Sequence, residues 1–439
     1  MHFIEPLLFG ISTFIAIYLA SRSAHKIIRN IKLGKDLPIK GATIQRWKNV
    51  FLLAFGQQKM FRKPGVAILH LFVYVGFVII NIEIIEIILD GLTGHHRLFA
   101  PFLGSVYPFL INSFEILAAL VLIACVFFLV RRTITPVKRL QSPELKGWPQ
   151  NDALFILVTE IVLMSLFLLM NATDTLLQSR LIAPYSNHPT GAFLISSLLH
   201  PLFENFQTNT LISIERSAWW MHILGIYGFL NYLPTSKHLH ILLAFPNAYY
   251  KPLEAVGKME NMPAIQQEVL YAMQPELAPS TPATVPARFG AKDVQDLSWK
   301  NLLDAYSCTE CGRCSSACPA NQTGKKLSPR KIMMDTRDRL EEVGRSINKT
   351  GEWKEDGRSL LHDYISVEEI NACTTCNACV QECPVSISPL DIILQLRRNL
   401  VMEESNTPAE WASLFGNVEN NFAPWKFSPS DRENWTHSS

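Results

Sequence analysis

Eight of the nine cysteines in this 439-residue chain fall into two runs of one pattern. Cys308, Cys311, Cys314 and Cys318 precede Pro319, and Cys373, Cys376, Cys379 and Cys383 precede Pro384; each run reads C-x2-C-x2-C-x3-C-P. An iron–sulfur cubane takes four thiolates, three from a tight loop that wraps the cluster and a fourth from elsewhere in the fold. Where two such runs occur together, the fourth cysteine of each serves the other cluster. That assigns Cys308, Cys311, Cys314 and Cys383 to cluster one, and Cys373, Cys376, Cys379 and Cys318 to cluster two. Structural zinc sites pair separated knuckles instead, which four cysteines within eleven residues do not resemble.

A second set of chemistry-bearing residues lies in apolar surroundings. His70, His222, His238 and His240 occur within long hydrophobic runs, where polar side chains are costly and call for a function. His222 and His240 are 18 residues apart, five helical turns, so on one unbroken helix they share a face about 27 Å apart. Pro234 between them weakens that phase. His70, on an antiparallel neighbour, lies level with His240, and two facing imidazoles form a haem site. His238 points elsewhere and reads as interfacial. Glu83, Glu86, Glu115 and Glu160 also lie in or near these runs. The first three sit near one interface and read as snorkelling side chains, whereas Glu160 is deeper and suits either proton transfer beside a quinone or a carboxyl hydrogen-bonded between helices. Cys125 reads as a small apolar residue.

The elements that must hold these groups follow from composition. Hydrophobic residues make up 48% of the chain and charged ones 18%, against about 25% charged in soluble domains. Five runs approach the roughly 20 residues a bilayer crossing needs: Phe3–Ala20, Val66–Leu89, Leu110–Val130, Ala153–Asn171 and Ala218–Leu243. The first has no basic stretch before it and reads as a retained anchor, not a leader. Residues 21–65 hold eleven Lys and Arg against one acid, and 131–152 hold five against two. The positive-inside rule then puts both loops in the cytoplasm, the N-terminus outside, and everything after the fifth run inside. Segments 192–206 and 45–62 read as amphipathic pieces at the outer and inner surfaces. With 40 basic against 38 acidic residues, the chain has no field suited to nucleic acid. Cytoplasmic cysteines in tight clusters exclude a disulfide scaffold.

Residues 1–250 resemble the cytochrome b subunit (gamma chain) of respiratory nitrate reductase and the related membrane subunit of heterodisulfide reductase. The resemblance rests on His222-Ile-Leu-Gly through His238-Leu-His240-Ile, followed by Pro246, and on His70. It implies five spans and b-type haem between the second and fifth, with His70 and His240 as ligands of one haem. The family's second histidine of span two falls on Ile80, which cannot bind iron. A second haem on His222 therefore needs another partner, for which His200 is a candidate; otherwise His222 lines a quinone pocket.

Residues 289–330 (FGAKDVQDLSWKNLLDAYSCTECGRCSSACPANQTGKKLSPR) resemble the iron–sulfur segment of membrane-bound oxidoreductases that include heterodisulfide reductase subunits and electron-transfer-flavoprotein:menaquinone oxidoreductases. The resemblance implies an α-helical ferredoxin with two [4Fe-4S] clusters. Ser328–Val343 and Asp391–Arg398 read as its helices, with Ser328 as N-cap before Pro329. Fused members of that family continue into cysteine-rich CCG domains. Here about 55 residues follow Cys383 without another cysteine, so a CCG-type iron–sulfur subunit is expected as a separate partner.

The expected architecture is all-α: a five-helix transmembrane bundle over 1–250, a linker over 251–290, a cytoplasmic α-helical ferredoxin domain over 291–405 and a tail over 406–439. The expected function is that of an electron-transfer subunit in the bacterial inner membrane, between a cytoplasmic partner (electron-transferring flavoprotein) and menaquinone. The alternatives are quinol-driven reduction of a disulfide or thiol protein, and a membrane anchor or redox sensor without turnover.

Overall fold

The structure, a computed structural model, describes residues 4–39, 41–135, 137–254, 258–259, 261–279 and 288–437. The described residues are mostly helical and contain no strand, only the isolated bridges Lys35–Ser298 and Leu361–Ile365. Residues 280–287, toward the end of the expected linker, lie outside the described residues; within that linker Pro263–Met273 forms a helix.

Five long helices build the first half: α1 (Ile4–Ile31), α2 (Pro64–Thr93), α3 (Val106–Thr133), α4 (Trp148–Ser179) and α5 (Thr208–Tyr232). Each packs on the next, and α5 returns to α1, closing a ring. Phe9, Ile111, Phe114, Phe167 and Ile223 fill its centre, with Cys125 among them. Phe14, Phe77, Ile123 and Val158 face outward, exposed, as a lipid-facing surface requires. Of the described helices, α1 to α4 are long and apolar enough to cross a membrane.

The fifth apolar run differs from the expectation. No single helix spans 218–243, because Pro234 has no N–H to continue the ladder. α5 ends at Tyr232, two 3-10 turns follow over Leu233–Thr235 and Lys237–Leu239, and α6 (His240–Tyr249) starts on a new axis. The five-turn phase linking His222 to His240 therefore does not operate. Segment 192–206 is likewise not one amphipathic helix but a 3-10 turn and a single α-turn, Ser196–Leu199 and His200–Phe203.

The acids near the far end of the ring do not snorkel. Glu86 accepts from the Phe99 amide and the Tyr107 hydroxyl at 2.8 and 2.9 Å, and Glu115 from the amides of Ile195 and Ser196 at 3.0 and 2.8 Å. Glu83, Glu86 and Glu115 are all buried. Glu86 and Glu115 tie down the connecting loops, together with Arg97 on Asp174 and Asp90 beneath the Arg97 and Leu98 amides. Buried backbone donors in a low-dielectric setting need such acceptors.

The second half is two copies of one plan. Each begins with a short helix opened by a capping box, Ser298/Asn301 before α7 (Trp299–Ser307) and Ser366/Glu369 before Val367–Asn371. The reciprocal bonds satisfy orphan N–H groups. A cysteine loop and one helical turn follow, then a Ser-Pro start to a long helix: α8 (Pro329–Thr350) or α9 (Pro389–Met402). Ser328 and Ser388 accept from the amides of Lys331 and Asp391, and Pro occupies the first helical position of each, where its missing N–H costs nothing. The halves share a core, since Ile27 of α1 and Leu239 pack with Leu302, Ile332 and Ile393.

Candidate redox centres

The two cysteine loops have the same backbone. Glu310 and Gly312 in the first have φ of 54° and 72°; Thr375 and Asn377 at the matching places in the second have 55° and 62°. Left-handed residues at alternate positions curl each loop around a hollow. The turns Arg313–Ala317 and Ala378–Glu382 pack on each other. Their ends carry Cys318 and Cys383 across, so one cavity is lined by Cys308, Cys311, Cys314 and Cys383 and the other by Cys318, Cys373, Cys376 and Cys379. These are the two sets expected from spacing. No group of three or more His, Cys, Asp or Glu among the described residues is arranged for a single metal ion. The sulfurs surround a space, as suits a cluster in which each thiolate meets its own iron.

Burial pushes the Cys308 and Cys379 thiols up to about 12 and Cys383 to about 11. A coordinated iron is the charge that would hold them as thiolates. The Thr375 amide donates to Cys373 Sγ and the Ile387 amide to Cys383 Sγ, both at 3.4 Å; bonds of this kind tune cluster potential. Cys376 is exposed, whereas Cys308, Cys318 and Cys379 are buried.

The first cavity faces the helix ring. Gly312 is packed so closely that a Cβ there would stand 2.4 Å from Arg330 Nη1 and 3.3 Å from the Arg139 carbonyl. Arg313 donates to the carbonyls of Lys59 and Met60 at 3.1 and 3.4 Å. Glu310 meets Lys237 at 2.5 Å and Arg337 at 2.6 Å, with its side chain 3% exposed. Burial alone would raise the Glu310 carboxyl, but Arg337 and Lys237 hold it below the usual carboxylate range. Lys237 also donates to the Pro149 carbonyl and lies 3.8 Å from Asp152.

Beside this join stand His70 and His240, ring centroids 6.5 Å apart. Two imidazoles on opposite sides of one metal, each at about 2 Å, place their centroids roughly 6 Å apart. His70 Nδ1 bonds Gln57 Oε1 at 3.1 Å and His240 Nδ1 bonds the Lys237 carbonyl at 3.0 Å. A carbonyl oxygen only accepts, so Nδ1 of His240 carries the proton and its Nε2 keeps the lone pair; a metal-ligating histidine is oriented in this way. The residues fit a bis-histidine haem. His238 does not point away from the pair, since its ring lies 5.6 Å from His240 and 5.4 Å from Phe229.

The remaining expected residues are separate. His222 is buried, bonds the Leu163 carbonyl through Nδ1 at 3.0 Å, and leaves Nε2 without a partner. The structure does not bring His200 to it. His200 Nε2 bonds Thr175 Oγ1 at 2.9 Å, and Thr175 lies twelve residues beyond Leu163 on α4, about 18 Å along the axis. Glu160 is half-buried on α4.

Sequence reasoning missed Gln57, Lys237, Glu310 and Arg313. A signal existed for each of the last three: a lysine inside an apolar run, and charged residues in one cysteine loop where the other has Thr375 and Ala378.

The fold and site define a helical two-cluster iron–sulfur protein built onto apolar helices long enough to cross a membrane. Residues 307–387 match the family described as the 4Fe-4S dicluster domain. The chain is 29% identical to the probable iron-sulfur-binding oxidoreductase FadF of Bacillus subtilis, over 98% of this chain and 60% of that protein. It is 26% identical to the EtfAB:quinone oxidoreductase of Syntrophomonas wolfei, over 89% of this chain and 54% of that one. A third relative is one component of the ferredoxin/F(420)H(2)-dependent CoB-CoM heterodisulfide reductase of Methanosarcina acetivorans, 34% identical over 23% of this chain and 49% of that component. The chain is thus a homologue of iron–sulfur oxidoreductases that carry a 4Fe-4S dicluster domain, and it spans little more than half the length of the first two. No solved structure matches.

Proposed function

We propose that the chain is the membrane-anchored electron-transfer part of a quinone-linked oxidoreductase. Electrons would pass between a soluble partner and menaquinone by way of two [4Fe-4S] clusters and a b-type haem. The observation that carries this reading is the pairing of two cysteine-lined cavities, the first of which joins the helix ring beside the His70–His240 pair. Cysteines 308, 311, 314 and 383 would hold cluster one, cysteines 318, 373, 376 and 379 cluster two, and His70 and His240 the haem. The groups bound there supply one-electron chemistry; the chain supplies ligands, spacing and exclusion of water.

The basic loops of residues 32–63 and 131–147 lie at the same end of the ring as the iron–sulfur half, which supports a five-span anchor in the bacterial inner membrane with that half in the cytoplasm. The unpartnered Nε2 of His222 supports a second ligand-binding position deep in the ring, for quinone or a further haem, with Glu160 of α4 as the candidate for proton transfer. By likeness to the EtfAB:quinone oxidoreductase, the soluble partner would be an electron-transferring flavoprotein, reached through a CCG-type iron–sulfur unit. Similarity to the heterodisulfide reductase component supports the second reading, in which quinol drives reduction of a disulfide.

The test is a dithionite-reduced minus oxidised spectrum of the detergent-purified chain, with iron and haem counted per polypeptide. About eight cluster irons and one b-type haem are expected. Absence of haem would remove the cytochrome part. Failure of menaquinol to reduce either centre in the holo-protein would leave an anchor or sensor without quinone turnover.

A further inference from the structure

The two cysteine loops share a backbone but not a charge pattern. Between its first three cysteines the first loop carries Thr309, Glu310, Gly312 and Arg313; the second carries Thr374, Thr375, Asn377 and Ala378. Both charged residues of the first loop reach out of their own domain, one to the residue whose carbonyl orients His240 and the other to the turn that carries the partner of His70. Glu310 receives Lys237 Nζ, and the Lys237 carbonyl accepts from His240 Nδ1. Arg313 grips the carbonyls of Lys59 and Met60 in the turn that begins at Gln57, whose Oε1 bonds His70 Nδ1. Gln57 itself is buried and held at a φ of 47°. At the matching places of the second loop, the Thr375 hydroxyl bonds within its own loop, to the Thr374 carbonyl, and Ala378 has no polar side chain; the turn that follows meets Lys59 and Arg62 through the Val380 and Gln381 carbonyls and Glu382 instead.

We propose that Glu310 and Arg313 form a two-point clamp of opposite charges, which seats the first cysteine loop on the His70–His240 pair. This rests on the haem reading above and deepens it. Both are positioning residues, and each also places a formal charge close to the histidines, at a join where Lys237 and Glu310 are each less than a tenth exposed. Low local dielectric makes such charges felt. They act with opposite signs: a nearby negative charge favours the oxidised centre, and a positive one the reduced centre.

The test uses the full chain, with Glu310→Gln and Arg313→Gln set beside the second-loop controls Thr375→Gln and Ala378→Gln. The haem midpoint is read by anaerobic optical titration, with haem and iron contents measured. Glu310→Gln is expected to raise the midpoint, Arg313→Gln to lower it, and the controls to leave it unchanged. An unmoved midpoint in both first-loop variants, or an equal shift in the controls, would overturn the clamp. If Glu310→Gln loses haem or iron, Glu310→Asp, which keeps the charge, must retain them, and failure to do so also overturns it. A wild-type chain without haem would sink the haem reading separately. The clamp is then read by electron paramagnetic resonance of the clusters, where first-loop variants must perturb one cluster and the controls the other.

Discussion

Asn30, near the end of α1, lies against Gly344 of α8 so tightly that a Cβ on the glycine would stand 2.5 Å from Asn30 Nδ2 and 2.6 Å from Oδ1. The amide is not free to turn away, because Nδ2 donates to Tyr306 Oη at 2.8 Å and Oδ1 accepts from Arg29. Arg29 also donates to the Gly344 carbonyl at 2.9 Å. The first apolar helix thus runs on past its expected end at Ala20 and becomes part of the iron–sulfur half. Gly344→Ala should gain about 1 kcal/mol of helix propensity and lose about 1–3 kcal/mol to overpacking. Net destabilisation of about 1 kcal/mol is expected. A double-mutant cycle checks the contact: Asn30→Ala, which makes room, should recover part of the loss in the double variant when thermal unfolding is followed.

Gln57 offers His70 the acceptor that orients its ring. Gln57→Leu keeps the volume and removes the oxygen. Loss of such an outer-shell partner typically costs 10–100-fold in affinity for the bound metal. Haem content after mild dilution should fall by about that factor in affinity, while cluster iron stays at the wild-type count. A matching loss of iron would mean that the turn at Gln57 supports the whole join and not the histidine alone.

The crossed cysteine sets make a pattern that substitution can read. Cys318→Ser and Cys376→Ser remove ligands lining one cavity although they belong to different runs, and Cys383→Ser affects the other cavity. The first two variants should leave the same residual cluster, at about four irons per chain, with one shared paramagnetic resonance signature. Cys383→Ser should leave the other. If Cys318→Ser and Cys311→Ser share a signature instead, each run holds its own cluster.

The legibility of this chain follows the range of its interactions. The cysteine sets could be read because cluster ligation is written in local spacing and needs no knowledge of packing. His70 and His240 were matched by their level on antiparallel helices, and their rings do meet although the break at Pro234 separates His240 from α5. The orientation of His238 and the shared face of His222 and His240 assumed a continuous helix, and Pro234 removed it. Gln57 and the fate of Glu86 and Glu115 were not legible, since each depends on how a loop and a distant helix meet. An acid near a span end looks the same in sequence whether it snorkels or caps a buried loop.

Glu144 joins the two halves at a second point. Its carboxylate accepts from Arg330 at 2.7 and 3.2 Å and from the Ser328 hydroxyl at 2.7 Å, while Arg330 also donates to the Arg139 carbonyl at 2.8 Å. The Arg330 side chain is 1% exposed. Burial alone would raise the Glu144 carboxyl, but the Arg330 and Ser328 hydrogen bonds outweigh it and hold it below its usual value. A carboxylate depressed on folding contributes stability fully above its unfolded value, about 4.3, and loses it as pH falls through the lower folded value. The Glu310 carboxyl, depressed in the same sense, adds to this. The join should therefore hold from neutral pH down to about 4.3 and weaken below that. Hydrogen exchange of residues 138–147 should show protection that declines only in this acid range. Glu144→Gln should remove much of the pH dependence and cost about 2 kcal/mol at pH 7, less than the 3–5 kcal/mol of a fully buried broken pair because Glu144 keeps some contact with water. Protection that fell between pH 8 and 6 instead would point to a histidine at the join and not to these carboxylates.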